Sequence, residues 1–342
     1  LENRGKIEVN GGSLQLGNDS LTATSENNGD LSSLAIIDLS NNNSGPITIT
    51  DGGLAILFSG FNFTNDTTGS ISINNGYLLN YGNFTNDGTI SGNSSSGAYF
   101  YNGEDYPNGS VTYQPATDVS FNNYGTVDGS FNQIYGAGTN TSYHYSINNY
   151  GTVMVDGNLA TLGNITNGFP GSLSTYFTIT NGGACNNSGS ITNYSSGEFR
   201  FTGTSFTTNN SINNQGEMYF TSSFSSTGTG KSITNTNTID ISGNFTNASN
   251  ITNGFPGVLS TYFTITNGGA CNNSGSITNN SSGEFSFTGT SFKTNSAISN
   301  EGSMLFYSSL SSSSTITNDG SIGCTTTPFP TATPYPIMLI ST

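Results

Sequence analysis

The residues of this chain that could do chemistry are few and widely spaced. His144 is the single histidine, set between Tyr143 and Tyr145. A nucleophile–base pair needs a third group to orient the imidazole, and the neighbouring sequence supplies none, so His144 reads as a loop residue. There are 20 acidic residues, and the close pair among them is Glu104-Asp105, in a Gly/Pro-rich stretch. Adjacent strand residues point to opposite faces, which makes this a poor acid–base couple. Asp87, Glu198, Glu217, Glu284 and Glu301 recur at similar places, but Thr, Ser and Val stand there too. No run of acids is built up, and no catalytic residue is assigned.

Cys185, Cys271 and Cys324 are the three cysteines. Cys185 and Cys271 hold the same place in the near-identical segments Asn164–Phe206 and Asn250–Phe292. In a stacked coil they would lie roughly 19 Å apart, too far for a disulfide. They read as small buried apolar residues. Cys324 is left as a candidate for an intermolecular bridge. No Cys/His spacing suits zinc, and the Gly-Gly-x-Gly-x-Asp calcium repeat is absent. No metal or cofactor is expected.

The commonest chemical signature is the N-glycosylation acceptor Asn-x-Ser/Thr. Candidates are Asn18, Asn42, Asn62, Asn83, Asn93, Asn108, Asn140, Asn164, Asn186, Asn209, Asn244, Asn247, Asn250, Asn272 and Asn280. An Asn-rich composition generates many such matches by itself, so position has to sort them.

Another Asn set has no such ambiguity. Asn65, Asn86, Asn102, Asn123, Asn149, Asn167, Asn193, Asn214, Asn235, Asn253, Asn279, Asn300 and Asn318 each follow an Ile or Phe by two residues. The mean step is about 21 residues, in the range of solenoids and other arrays. Each unit reads apolar-x-Asn, then Gly, then a second apolar residue, as in Ile212-Asn213-Asn214-Gln215-Gly216-Glu217-Met218. A third apolar column follows, including Leu14, Leu54, Leu78, Leu159, Phe206, Phe224, Phe245, Phe292 and Leu310. Alternation such as Phe199-Arg200-Phe201 and Ile239-Asp240-Ile241 is the period of a strand. No helical stripe interrupts it.

These columns predict an all-β chain, a parallel β-solenoid of about 15 turns with ~21 residues and three short strands per turn. The Asn residues are expected at corners, where Asn tolerates left-handed or bridge angles, and to hydrogen-bond from turn to turn. The following Gly is expected to close the corner with a positive φ. Residues 1–62 are read as irregular N-terminal turns, 63–323 as the regular solenoid, and 324–342 as an extended Pro/Thr-rich tail. The tail ends in the apolar run Ile337-Met338-Leu339-Ile340. It reads as a linker, or as an arm that adds a strand to a neighbouring subunit.

Composition removes some partners. Five Lys/Arg against 20 Asp/Glu give a net charge of −15. Arg4, Lys6, Arg200, Lys231 and Lys293 form no basic patch, which argues against nucleic acid and anionic membrane surfaces. No stretch approaches the ~20 apolar residues of a membrane helix. The chain begins inside the repeat at Leu1-Glu2-Asn3-Arg4-Gly5-Lys6-Ile7, as an excised or processed segment would.

On its Asn-x-Gly-x-aliphatic repeat, over residues 1–323, the chain resembles the parallel β-solenoids of surface adhesins, autotransporter-type passengers, viral fibres and extracellular filaments. That resemblance implies an elongated scaffold outside the cell or on a virion, with no catalytic residues to carry over. The expectation is a non-enzymatic, glycosylated structural subunit that assembles with itself head to tail, because an open solenoid end exposes unpaired strand edges. The alternative is an adhesin whose Tyr-rich stretches, Tyr99–Tyr113 and Tyr143–Tyr150, contact a glycan. A β-helix polysaccharide lyase or hydrolase is the remote one.

Overall fold

The computed structural model describes residues 7–9, 36–38, 46–49, 53–57, 62–74, 76–93, 97–103, 119–136, 145–161, 163–168, 175–180, 184–254, 261–266 and 270–325. His144, Glu104, Asp105, Asn18, Asn42, Asn108, Asn140 and the tail run 337–340 lie outside them. The chain divides into two units: residues 1–166 with 175–183, and 167–174 with 184–342.

The fold is an all-β parallel solenoid with ~21 residues per turn and about 10 turns among the described residues. One turn of the second unit shows its construction. Three strands, Ile212–Asn214, Glu217–Phe220 and Ser223–Ser226, are followed by Ser232–Asn235, Thr238–Ile241 and Phe245–Asn247. Each lies parallel on its counterpart, with Ile212 against Ile233, Met218 against Ile239 and Phe224 against Phe245. The apolar columns of the sequence are therefore columns in space, one rung per turn at the ~4.8 Å strand spacing.

Alternation does the sorting. In Glu217–Phe220, Met218 and Phe220 are buried while Glu217 and Tyr219 face outward. The inward aromatics fill the coil by packing within a turn and from turn to turn. Phe220 and Phe224, on successive strands of one turn, stack at 4.6 Å between ring centroids; between turns Phe224 and Phe245 stack at 5.5 Å, and Phe263 and Phe285 at 5.3 Å. The first unit packs the same way, with Phe63, Phe84 and Phe121 at 4.9 and 5.6 Å along one column. Its early strands also pair in parallel: Ile7 against Ile47, Ile47 against Ile71, and Ile36 against Leu54.

The reason for the corner glycines differs from the expected one. Gly216 and Gly302 do not have positive φ. They are required because a Cβ on Gly216 would overlap the carbonyl oxygens of Gly197 and Tyr194, and one on Gly302 those of Gly283 and Asn280. Turns approach backbone to backbone at this corner. Positive φ occurs instead at Gly168 and Gly254, both +88°, which directly follow Asn167 and Asn253 in the two Asn-Gly-Phe-Pro sequences.

Candidate functional site

The ladder asparagines end strands and point inward; they are not corner residues. In the second unit Asn193, Asn214, Asn235, Asn253 and Asn279 are all 0% exposed. Each donates from Nδ2 to Oδ1 of the next: Asn193 to Asn214 at 2.8 Å, Asn214 to Asn235 at 2.8 Å, Asn235 to Asn253 at 2.8 Å, Asn253 to Asn279 at 2.9 Å and Asn279 to Asn300 at 2.7 Å. Asn167 feeds into this chain at Asn193, and Asn300 passes it to Asn318. In the first unit the chain runs Asn65 to Asn86, Asn86 to Asn123 and Asn123 to Asn149. Nδ2 also donates to backbone carbonyls of its own corner and of the next turn. That of Asn214 reaches Gly216 O at 2.9 Å and Thr238 O at 2.7 Å. A buried polar group is tolerated only when bonded, and this amide satisfies itself and two carbonyls together.

Asn102 is the exception. It ends the strand Ala98–Asn102, which pairs with Gly76–Asn80 and not with the ladder strands. Its Oδ1 accepts from Asn80 Nδ2 at 2.6 Å. Asn86 reaches past it to Asn123, 37 residues on. Asn102 thus belongs to a second inward polar column on the third strand of each turn, which the sequence reading missed. In the second unit that column contains Asn187, Thr208, Ser226, Asn247, Asn273 and Thr294, all buried. Asn247 donates to Asn273 at 2.7 Å, and Asn273 to the Thr294 hydroxyl at 3.0 Å. The available signal was a polar residue two positions after the third apolar column, as in Leu78-Leu79-Asn80 and Phe245-Thr246-Asn247.

Two of the outward acids named from the sequence meet on paired strands. Glu198 and Glu217 are register neighbours, as are Arg200 and Tyr219, then Tyr219 and Asp240. Adjacent alignment of two of the acids departs from the scattered pattern read in the sequence, but the column continues as Thr238, Tyr262 and Glu284. Glu198 is engaged by Arg200 at 2.9 Å, Arg200 lies 4.7 Å from the Tyr219 ring centroid, and Tyr219 donates to Glu217 at 2.7 Å. Burial, with the bond to Glu217 next, pushes the Tyr219 hydroxyl up to about 12. Burial also pushes up the Asp240 carboxyl, against hydrogen bonds from Thr266 and Ile241. Among the described residues no group of three His, Cys, Asp or Glu could hold a metal ion, and no helix is long and apolar enough to cross a membrane.

Cys185 and Cys271 are buried free thiols, both pushed far above the usual thiol range by that burial. Cys324 is a half-buried free thiol in Ser321–Cys324. The acceptor asparagines divide sharply. Asn62, Asn83, Asn93, Asn164, Asn186, Asn209, Asn244, Asn250 and Asn272 are exposed, and Asn280 is half-buried. Asn247 is 1% exposed, inside the second polar column, and is thereby removed from the candidates.

The remaining candidate surface is the rim at the last described turn. Ser309–Ser312, Ile316–Asn318 and Ser321–Cys324 each pair with one strand of the preceding turn. Ile316 and Ile322 are half-buried, whereas their column neighbours Ile298 and Met304 are 1% exposed. Asn318 accepts from Asn300, and its own Nδ2 donates to Gly320 O at 3.2 Å. The rim therefore shows strand edges, apolar column ends and the donor end of the amide chain together.

No protein-family model, curated protein or solved structure matches this chain.

Proposed function

We propose that the chain is a structural, non-enzymatic subunit of an extracellular filament, fibre or surface layer, assembled by end-to-end stacking of solenoids and carrying N-linked glycans. The observation that carries the reading is the rim at 309–324. Each interior ladder amide bonds the next Asn and a carbonyl of the next turn, as Asn300 does with Asn318 and Ser321 O. Asn318, among the described residues, has only Gly320 O to donate to. A turn of a second copy, carrying its own apolar-x-Asn strand, would supply the missing acceptors and cover Ile316 and Ile322. Edge strands of this kind invite added strands, and a head-to-tail contact repeats without closing. The exposed acceptor asparagines and scarcity of Lys and Arg support a place outside the cell.

A specific observation favours the adhesin as second reading. Tyr124 is 56% exposed and stacks with Tyr150 at 4.8 Å, and Tyr176 is 41% exposed. Tyr is a frequent contact residue at binding surfaces. Electron microscopy of the native material tests the two. Continuous fibres support stacking. Isolated particles that bind on a glycan array refute it in favour of the adhesin.

A further inference from the structure

We infer that the outer face of the Asn-ladder strands carries N-glycans in each unit, with Asn62 the principal site of the first and Asn250 of the second, and the ladder acceptor motifs excluded. This rests on the extracellular part of the reading above.

The four sequences Asn62-Phe63-Thr64, Asn83-Phe84-Thr85, Asn164-Ile165-Thr166 and Asn250-Ile251-Thr252 each sit at the same place, opening a ladder strand. Strand alternation turns the first and third residues of each outward. All four Asn are exposed, and the Thr two residues on is half-exposed on the same face. Both elements of the acceptor motif are thus presented together. The motifs at Asn65, Asn193 and Asn279 start at the inward parity, which places their amides inside the coil at 0% exposure.

Hydrogen bonding then ranks these sites. Attachment joins Nδ2 to C1 of a sugar. The C1–O bond to a polyprenyl diphosphate breaks, the diphosphate leaves, and the amide proton goes to a base of the transferase. The folded product carries the sugar on Nδ2, so Nδ2 is the atom that must be free of structural duty there. Asn250 is held through its other atom: Oδ1 accepts from Ser276 N at 3.1 Å and from Ser276 Oγ at 2.9 Å. Its Nδ2 has no bond among the described residues. The register neighbour Ser232 and the adjacent Ser276 are small and leave room beside it. Asn62 is arranged likewise, its Oδ1 accepting from Asn83 Nδ2 at 3.0 Å. Asn83 is the weaker member of that pair, because its Nδ2 makes that bond and its Oδ1 accepts from Ser120 at 3.0 Å. The two asparagines are register partners, so a glycan on one crowds the other.

Transfer takes place on unfolded chain, so a ladder Asn can be modified before folding. A glycan there has no space in a closely packed interior, and such molecules will not reach the folded, secreted fraction. The test is to express the full chain behind a secretory leader in eukaryotic cells. The secreted protein is deglycosylated with peptide N-glycosidase F in ¹⁸O water, which leaves each formerly glycosylated Asn as labelled Asp. With five Lys/Arg in the chain, peptides are cut with chymotrypsin for mass spectrometry. Expected are labels at Asn62 and Asn250 at least tenfold above those at Asn193 and Asn279. Asn83 is labelled less than Asn62, and its label rises in Asn62→Ser. Label at Asn193 or Asn279 in the secreted fraction overturns the proposal, as does absence of label at both Asn62 and Asn250. Microscopy of the same secreted material reads the stacking proposal separately, so either can fail while the other stands.

Discussion

Replacing Asn214 tests whether the amide chain holds the turns together. Its Nδ2 donates to Asn235 Oδ1, Gly216 O and Thr238 O, and its Oδ1 accepts from Asn193. In Asn214→Ala, Asn193 Nδ2 keeps Gly197 O and Glu217 O, both at 3.0 Å. Asn235 Oδ1 loses its ladder donor in a fully buried place and keeps the longer bond from Asn237 N at 3.3 Å. The lost amide bonds together cost about 1–3 kcal/mol, and the small void adds about 1 kcal/mol, so the expected loss is about 2–4 kcal/mol. Asn214→Asp is the sharper form. It keeps the shape but sets a carboxyl oxygen against three acceptors, and the charged form is further penalised by burial. Its folded-state pKa is then raised above the unfolded value. The unfolded chain releases that proton more readily, so the destabilisation is largest at neutral pH and shrinks as pH falls through the raised pKa. Asn318→Ala is the control: at the exposed rim the same deletion is expected to cost less than about 1 kcal/mol. Repeat proteins need not unfold in one step, so the assay is native-state hydrogen exchange read turn by turn. Protection should fall around residues 212–238 in both Asn214 variants. At neutral pH the Asp variant should be the worse of the two, and the gap should narrow in acid. An Asn214→Asp protein within about 0.5 kcal/mol of the parent at both pH values would refute the ladder as a source of stability.

Three further outcomes follow from the geometry. Gly216→Ala forces a Cβ into the carbonyls of the preceding turn and should cost at least about 1–3 kcal/mol, whereas Gly230→Ala, with φ +73° and open space around it, should cost about 1–2 kcal/mol of backbone strain; urea titration separates them. Burial raises all three thiols, but Cys324 is half-buried and Cys185 and Cys271 fully buried, so a disulfide-exchange dye at alkaline pH should modify Cys324 in the native protein while the other two react only after unfolding. The Tyr219 hydroxyl, raised to about 12, contributes stability that is complete below its ordinary value near 10 and fades as pH rises toward 12; difference absorbance at alkaline pH should show a late-titrating tyrosine that disappears in Tyr219→Phe.

Much of the fold could be read because this architecture turns sequence period into spatial column. Ile212, Ile233 and Ile251 stack because each stands two residues before the ladder Asn of its strand, and no long-range pairing has to be guessed. The failures have a common physical origin. Phe100-Tyr101-Asn102 has the ladder grammar, yet the third strand uses the same grammar in Leu78-Leu79-Asn80. Both faces have the same need, an inward amide to bond the carbonyls of a corner, so local pattern does not reveal which sheet a segment joins. The 37-residue step from Asn86 to Asn123 is visible only once register is known. A single turn shows only its own backbone and so points to positive φ at the corner glycines; their cause lies in the turn beneath. Parity decided the acceptor asparagines. Asn62 and Asn65 are three residues apart and open adjacent motifs, but one faces outward and the other is sealed inside.

The amide chain counts turns and ignores residues. Steps of 18, 21 and 26 residues, from Asn235 to Asn253, Asn214 to Asn235 and Asn253 to Asn279, close with bonds of 2.8, 2.8 and 2.9 Å. The 26-residue step opens at Gly254, with φ +88° directly after a rung, and the next rung still bonds in phase. Turn length can therefore change without breaking the alignment of the rungs. An engineer inherits the same freedom: whole rungs are units that can be copied, removed or decorated with inserted peptides, much as the 164–206 and 250–292 segments already repeat one another.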